Sequence, residues 1–383
     1  MVDWNLAVAT ATRLVRPGPE VSREEARSVV AELRRHARAS EEHVRAYTGL
    51  APEGPAADTP VLVVDRPGWV RANVAGFREL LAPLLEKMRE RRADAPGGAV
   101  LGAVGGKLAG VEVGMLLSFM ASRVLGQYET FAPPARDLPS APGAGGGRLL
   151  LVAPNIVHVE RELDVDPHDF RLWVTLHEET HRTQFTAVPW LRDHLEGEIH
   201  AFLTETELDP STLLERLRQA AQAFAGNRQG DGDGGGADGG FGAPGGGAEP
   251  GGRSLVDLVQ TPAQRDVLDR LTAVMSLLEG HADVVMDGVG PDVVPSVAEI
   301  REKFQKRRQA GAGRLDQVLR RLLGLDAKLR QYRDGARFVR AVVGETGMDG
   351  FNKVWTSPNT LPTKAEIAKP ADWITRVHRA GES

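Results

Sequence analysis

Apolar positions recur along most of this chain at the three- and four-residue spacing of a helix, and apolar runs of strand length are few. Residues 22–48 predict a long helix, opened by a capping-box pattern of Ser22 and Glu25. The run VLVV at 61–64 predicts a short strand, and 69–92 a further helix that ADAPGGA breaks. The most apolar stretch, 108–126, predicts a buried core helix whose Gly110, Gly114 and Ser118 allow close packing; Glu112 and Arg123 interrupt it too much for a membrane span. A Pro/Gly loop over 132–147 leads to a strand at 149–152 and a second short run at 156–159. DVDPHDF then predicts a firm helix start, with Asp166 as cap, Pro167 at the first position and Asp169 near the positive end of the dipole. Two helices are expected after Pro189. Residues 226–252 are too rich in glycine to bury enough surface to offset their ordering entropy, so a disordered surface loop is expected there. Without a flanking strand or a Lys-Ser/Thr pair, that loop is not a phosphate cradle. Thr261 and Pro262 open another long helix, arginine-rich helices are expected at 297–323 and 325–343, and a last short helix closes the pattern. The fold class is therefore α+β, predominantly helical, with a small β-sheet.

Composition narrows the chemistry. The 383 residues are 42% hydrophobic and 26% charged, ordinary for a soluble protein, and suffice for one large domain or two. The net charge of −5, with acids interspersed among the arginines, gives no basis for nucleic-acid binding. No cysteine is present, which excludes disulfides, thiolate ligands and cysteine nucleophiles. The N-terminal residues carry Asp3 and no apolar run of signal-peptide length, so the expected location is the cytoplasm, with no membrane partner.

The stretch LWVTLHEETHRTQF then takes on weight. His177 and His181 stand four residues apart, on one face of the predicted helix, where two imidazoles can converge on a Zn²⁺ ion. Glu178 projects about 100° around the helix from His177, too far to be an equal ligand but able to reach a water in the open position as general base. Phe170, Trp173 and Val174 precede the histidines on nearly the same face, which places the pair at the bottom of a cleft. A third ligand is needed. Gln184 and Ala187 occupy the positions where a longer histidine motif would carry glycine and histidine, so a carboxylate is favoured. Glu279 interrupts an apolar helical run, where an unpaired carboxylate is costly. Gly280 beside it would let the motif helix approach, and Asp283 one turn on could accept the free N–H of a ligand histidine. Glu196, Glu198, His200, Glu205 and Asp209 compete for the third position, and His281 reads as a wall or core histidine.

HEETH followed far downstream by LLEGHAD resembles the gluzincin branch of the zincin metallopeptidases. VDW near the start, VLGQY at 124–128, APNI at 153–156, MSLLEGHADVVMD and VWTSPNTLP resemble, more closely, a family of zincin-like hydrolases without clear biochemistry, some of them associated with deazaflavin coenzyme biosynthesis. No nucleotide or flavin pattern in the residues supports that association. The resemblance implies a zincin-like fold, His177, His181 and Glu279 as zinc ligands and Glu178 as base. A catalytic region over 148–383 is expected, with a helical region over 1–147 packed on it, or the two as one continuous domain. A zinc-dependent hydrolase acting on peptides or proteins is expected. A catalytically silent zinc-bound scaffold and a non-peptide amide hydrolase are the alternatives. In zincins a strand before the motif helix often pairs with extended substrate, which would be RLLLVAPN unless that strand is internal. Tyr47, Tyr128 and Tyr332 are the tyrosines available to stabilise an oxyanion.

Overall fold

A computed structural model of the chain describes residues 2–52, 59–93, 98–132, 147–205, 262–310 and 325–379. The loops expected at 132–147 and 226–252 fall largely or wholly outside them. So do the second helix expected after Pro189, Thr261, Asp209, the stretch 311–323, and the side chains of Glu205 and Tyr332. The helices are α1 (Trp4–Leu14), α2 (Arg23–Thr48), α3 (Arg66–Ala93), α4 (Gly98–Ala121), α5 (Ala153–Leu163), α6 (Pro167–Ala187), α7 (Pro189–Glu205), α8 (Pro262–Gly288), α9 (Val297–Ala310), α10 (Leu325–Phe351), α11 (Lys364–Ala368) and α12 (Pro370–Ile374). Three strands, β1 (Val61–Val64), β2 (Gly126–Glu129) and β3 (Arg148–Val152), form one sheet. The fold is α+β and predominantly helical, as the pattern predicts.

Two compact units emerge, Met1–Glu196 with Thr272–Ser383, and Gly197–Leu271. Within the smaller one, Glu198 pairs with Arg270 at 2.8 Å. The sheet and the candidate site lie in the larger one. Its strands come from both sides of residue 147, in the order β1-β3-β2. β3 runs parallel to β1 (Val61↔Leu149) and antiparallel to β2 (Gly126↔Leu151). Leu149 to Val152 are fully buried, which explains their continuous apolar run. β3 is thus the internal strand and is not available to an extended substrate. Its neighbour β2 is an edge strand among the described residues. The Val152 N–H donates to the Leu125 carbonyl at 2.8 Å, so Gln127 and Glu129 occupy the bonded positions toward β3. The backbone groups of Gly126 and Tyr128 therefore face the other edge.

Residues 156–159 are helical rather than extended. Pro154 starts α5, and Ile156, Val157, Val159 and Leu163 are its buried face, a helical spacing. Asn155 fixes that start: its amide donates to the carbonyls of Ala121 (2.8 Å) and Val124 (2.7 Å), and its oxygen accepts from Arg66 at 2.6 Å. Helix α4 packs on α1 through its small residues. A Cβ at Gly110 would stand 2.6 Å from the Asp3 carbonyl oxygen, and one at Gly114 2.7 Å from that of Ala7. Contrary to expectation α4 is not enclosed, because Leu108 and Met115 are 62% and 49% exposed. No helix among the described residues is long and apolar enough to cross a membrane. The main core joins α2, α5, α6, α8 and α9 through Leu33, Ile156, Phe170, Trp173, Leu176, Val285 and Ile300, and it encloses α6 on several sides.

Candidate metal centre

The first turn of α6 is built as its sequence predicts. The Asp166 carboxylate accepts the Asp169 N–H at 2.9 Å with Pro167 inside the turn. Asp169 itself accepts the N–H and O–H of Ser296 at 2.8 and 2.7 Å, which anchors this end of α6 to the segment before α9. Phe170, Trp173 and Val174 are core residues. Two turns on, His177 and His181 turn their Nε2 atoms toward each other at 3.2 Å, with the rings nearly perpendicular at 88°. Glu279 arrives from α8 and sets Oε2 3.5 Å from His177 Nε2 and 3.8 Å from His181 Nε2. Side-chain exposures of 21%, 13% and 21% leave the three donors half-buried but reachable.

Whether such a set fits a cation turns on where the ring protons are, and Gln184 decides that for His181. Its Nε2 donates to the Leu278 carbonyl at 3.0 Å and to His281 Nδ1 at 2.9 Å, which orients the amide. Its Oε1 therefore faces His181 Nδ1, at 3.0 Å, and that nitrogen must be the N–H donor. Once His181 gives up its second proton, its Nε2 lone pair points at His177 and Glu279. His177 makes the equivalent contact with sulfur, its Nδ1 lying 3.0 Å from Met286 Sδ, a weak acceptor. Electrostatics agree with the geometry. Burial opposes the charge of Glu279, yet its bonds to His177 and His181 hold it well below the usual carboxylate range. Burial likewise opposes charge on His181, but the Glu279 bond and charge raise it to about 9. The donor set draws positive charge to its centre, and two imidazoles with a carboxylate are a donor set that zinc accepts.

Glu178 lies beside this cluster and is 7% exposed. Burial raises its pKa, against the charges of His177 and His181, which lower it. Gly126 of β2 makes room for it: a Cβ there would stand 2.5 Å from Glu178 Cγ, so the carboxylate arm lies against bare backbone.

Other expectations need correction. Asp283 does not serve the histidines; among the described residues Gln184 and Met286 take their second nitrogens, and the Asp283 carbonyl accepts from Arg301. Gly280 admits α10 rather than the motif helix, since a Cβ there would stand 2.2 Å from the Gly335 carbonyl carbon. Among the described residues the group that could hold a metal here is His177, His181 and Glu279, without Glu196, Glu198 or His200. His281 is a core histidine, fully buried against Phe351 and Trp355, and burial brings its pKa down to about 3. Tyr128 stacks on Phe185, and burial, against a Thr59 hydrogen bond, pushes its hydroxyl up to about 12. Tyr47 packs on Gly288 at the end of α8. Gln184 and Gly126 are the residues that motif reasoning missed. A polar residue one turn beyond the second histidine was the available signal for the first.

The profile of a family described as zincin-like metallopeptidase matches residues 2–374. The chain belongs to that family. This zincin-like protein is also similar to a candidate hydrolase with a novel fold from Chloroflexus aurantiacus, known from its crystal structure. The two are 31% identical, with a TM-score of 0.65 over 99% of each chain. Among curated proteins none matches it. Family membership implies a metal, usually zinc, and the zincin-like protein carries groups able to hold one.

Proposed function

We propose that the zincin-like protein is a zinc-dependent hydrolase of peptide bonds, with His177, His181 and Glu279 as ligands and Glu178 as general base. The observation that carries this reading is the convergence of three donors from two distant helices beside a buried carboxylate. Zinc bound there supplies Lewis acidity, polarising a carbonyl and making water acidic near neutral pH. Glu178 takes the proton of the attacking water and returns it to the leaving amine; the raised pKa that burial gives it suits both roles. Gln184 holds His181 in the tautomer that presents Nε2. The outer edge of β2 next to Glu178 offers the backbone groups of Gly126 and Tyr128 to an extended chain, which favours a peptide over a compact amide. A purely structural zinc site would have no use for Glu178.

Comparing wild type with Glu178→Gln tests the proposal. The variant should keep the wild-type zinc content and lose about 10²–10⁴ in the rate of cleaving a peptide library. Wild-type rates in Glu178→Gln, or unchanged zinc content in His177→Ala, would overturn it.

A further inference from the structure

A second set of metal-binding side chains lies at the other end of the motif helix. Glu32 and His36 stand four residues apart on α2, and His168 sits in the first turn of α6, so both helices contribute. Glu32 Oε1 is 2.9 Å from His168 Nδ1 and 3.5 Å from His36 Nε2, and one donor atom from each residue falls within 4.8 Å of the others. The imidazoles meet edge to face, with centroids 4.7 Å apart. His36 is 5% exposed, and its Nε2 is buried with no hydrogen-bond partner among the described residues. A buried ring nitrogen of this kind is costly unless something occupies it. It faces a carboxylate oxygen and a second imidazole rather than a donor.

We propose that Glu32, His36 and His168 form a second site for a divalent transition cation of the zinc class, a structural clamp between α2 and α6 distinct from the HEETH centre. Neutral imidazole and carboxylate are the donors such ions select. Arg171 orients the set: it binds the other oxygen of Glu32 and grips Glu160 at 2.9 and 2.5 Å, so that Glu32 Oε1, which shares a proton with His168 Nδ1, is the oxygen a cation would take in place of that proton. With Glu160 balancing Arg171, the carboxylate of Glu32 gives the cluster a net negative charge. The N-terminal end of α6 carries partial positive charge, and Asp166 at its cap and Asp169 in its first turn counter it. His168 is 65% exposed at its side chain, so it can adjust to close the coordination and leaves a position open to water. The clamp would hold the end of the helix whose later turns carry His177 and His181, about 14 and 20 Å further along at 1.5 Å per residue.

The test is zinc content of the full chain by mass spectrometry after equilibrium dialysis, with folding checked by circular dichroism. His168→Ala removes an exposed ligand and should leave the fold intact. It should hold one zinc fewer per chain than its parent, both in wild type and in His177→Ala, where the HEETH centre is disabled. Zinc should raise the Tm of His177→Ala and leave that of His168→Ala/His177→Ala unchanged. Equal zinc content with and without His168 in both backgrounds would overturn the proposal. If His177→Ala does not fold, the wild-type comparison decides alone.

Discussion

Replacing Gln184 by Met keeps length and apolar volume but removes a carbonyl and two N–H groups from a fully buried position. Three contacts vanish: to His181 at 3.0 Å, to Leu278 at 3.0 Å and to His281 at 2.9 Å. The Leu278 carbonyl keeps its helical partner within α8. His181 Nδ1–H and His281 Nδ1 lose theirs, and at about 1–3 kcal/mol for each unsatisfied buried group the fold should lose roughly 2–6 kcal/mol. His181 also loses the contact that fixes its tautomer, which typically weakens metal binding by about 10–100-fold. Gln184→Glu separates the two effects. Its carboxylate still accepts from His181, so zinc affinity should hold, but it donates to neither Leu278 nor His281, so stability should still fall. Stability is read by denaturant unfolding with chelator present. Affinity is read by competition with a chromophoric chelator, repeated in His168→Ala so that the cluster on α2 contributes nothing. If Gln184→Met binds zinc as tightly as wild type, the tautomer argument fails.

Gly126→Ala should push Glu178 aside, since the new Cβ would stand 2.5 Å from its Cγ. Peptide cleavage should fall by about 10²-fold with zinc content unchanged, and normal kcat/KM in this variant would show that the carboxylate arm has room to spare. Zinc uptake should release protons. The pKa of His181 is raised to about 9, so below that pH the free site holds a proton that the cation must displace. Affinity should therefore climb by about tenfold per pH unit toward 9 and level off above it. Calorimetry in buffers of different ionisation enthalpy checks this, and an affinity independent of pH would contradict it.

The parts of the site legible in the sequence were those encoded by local spacing. His177, Glu178 and His181 follow from one helical turn, and the Asp166–Pro167 start follows from capping chemistry. Glu279 was visible because a charge inside an apolar helix needs a partner. Contacts across elements were not legible. Nothing local tells that Gly126 faces Glu178, that Gly280 faces Gly335, or that Met286 rather than Asp283 meets His177. Strand roles were hidden for the same reason. An apolar run such as RLLLV marks burial, and only the pairing partners show that β3 is central and β2 the edge. The run at 156–159 was too short for its period to be read, and Pro154 outweighed β-propensity there.

That the cage draws on both α6 and α8 has a consequence for biosynthesis. The carboxylate donor leaves the ribosome after the two imidazoles by about a hundred residues, roughly 5–20 seconds at about 5–20 residues per second. During that interval the HEETH centre of the nascent polypeptide offers only a two-point chelate, a weaker trap than the finished three-donor set. Loading of the HEETH centre thus belongs to the finished chain, and prematurely terminated products ending before Glu279 lack one of its three donors.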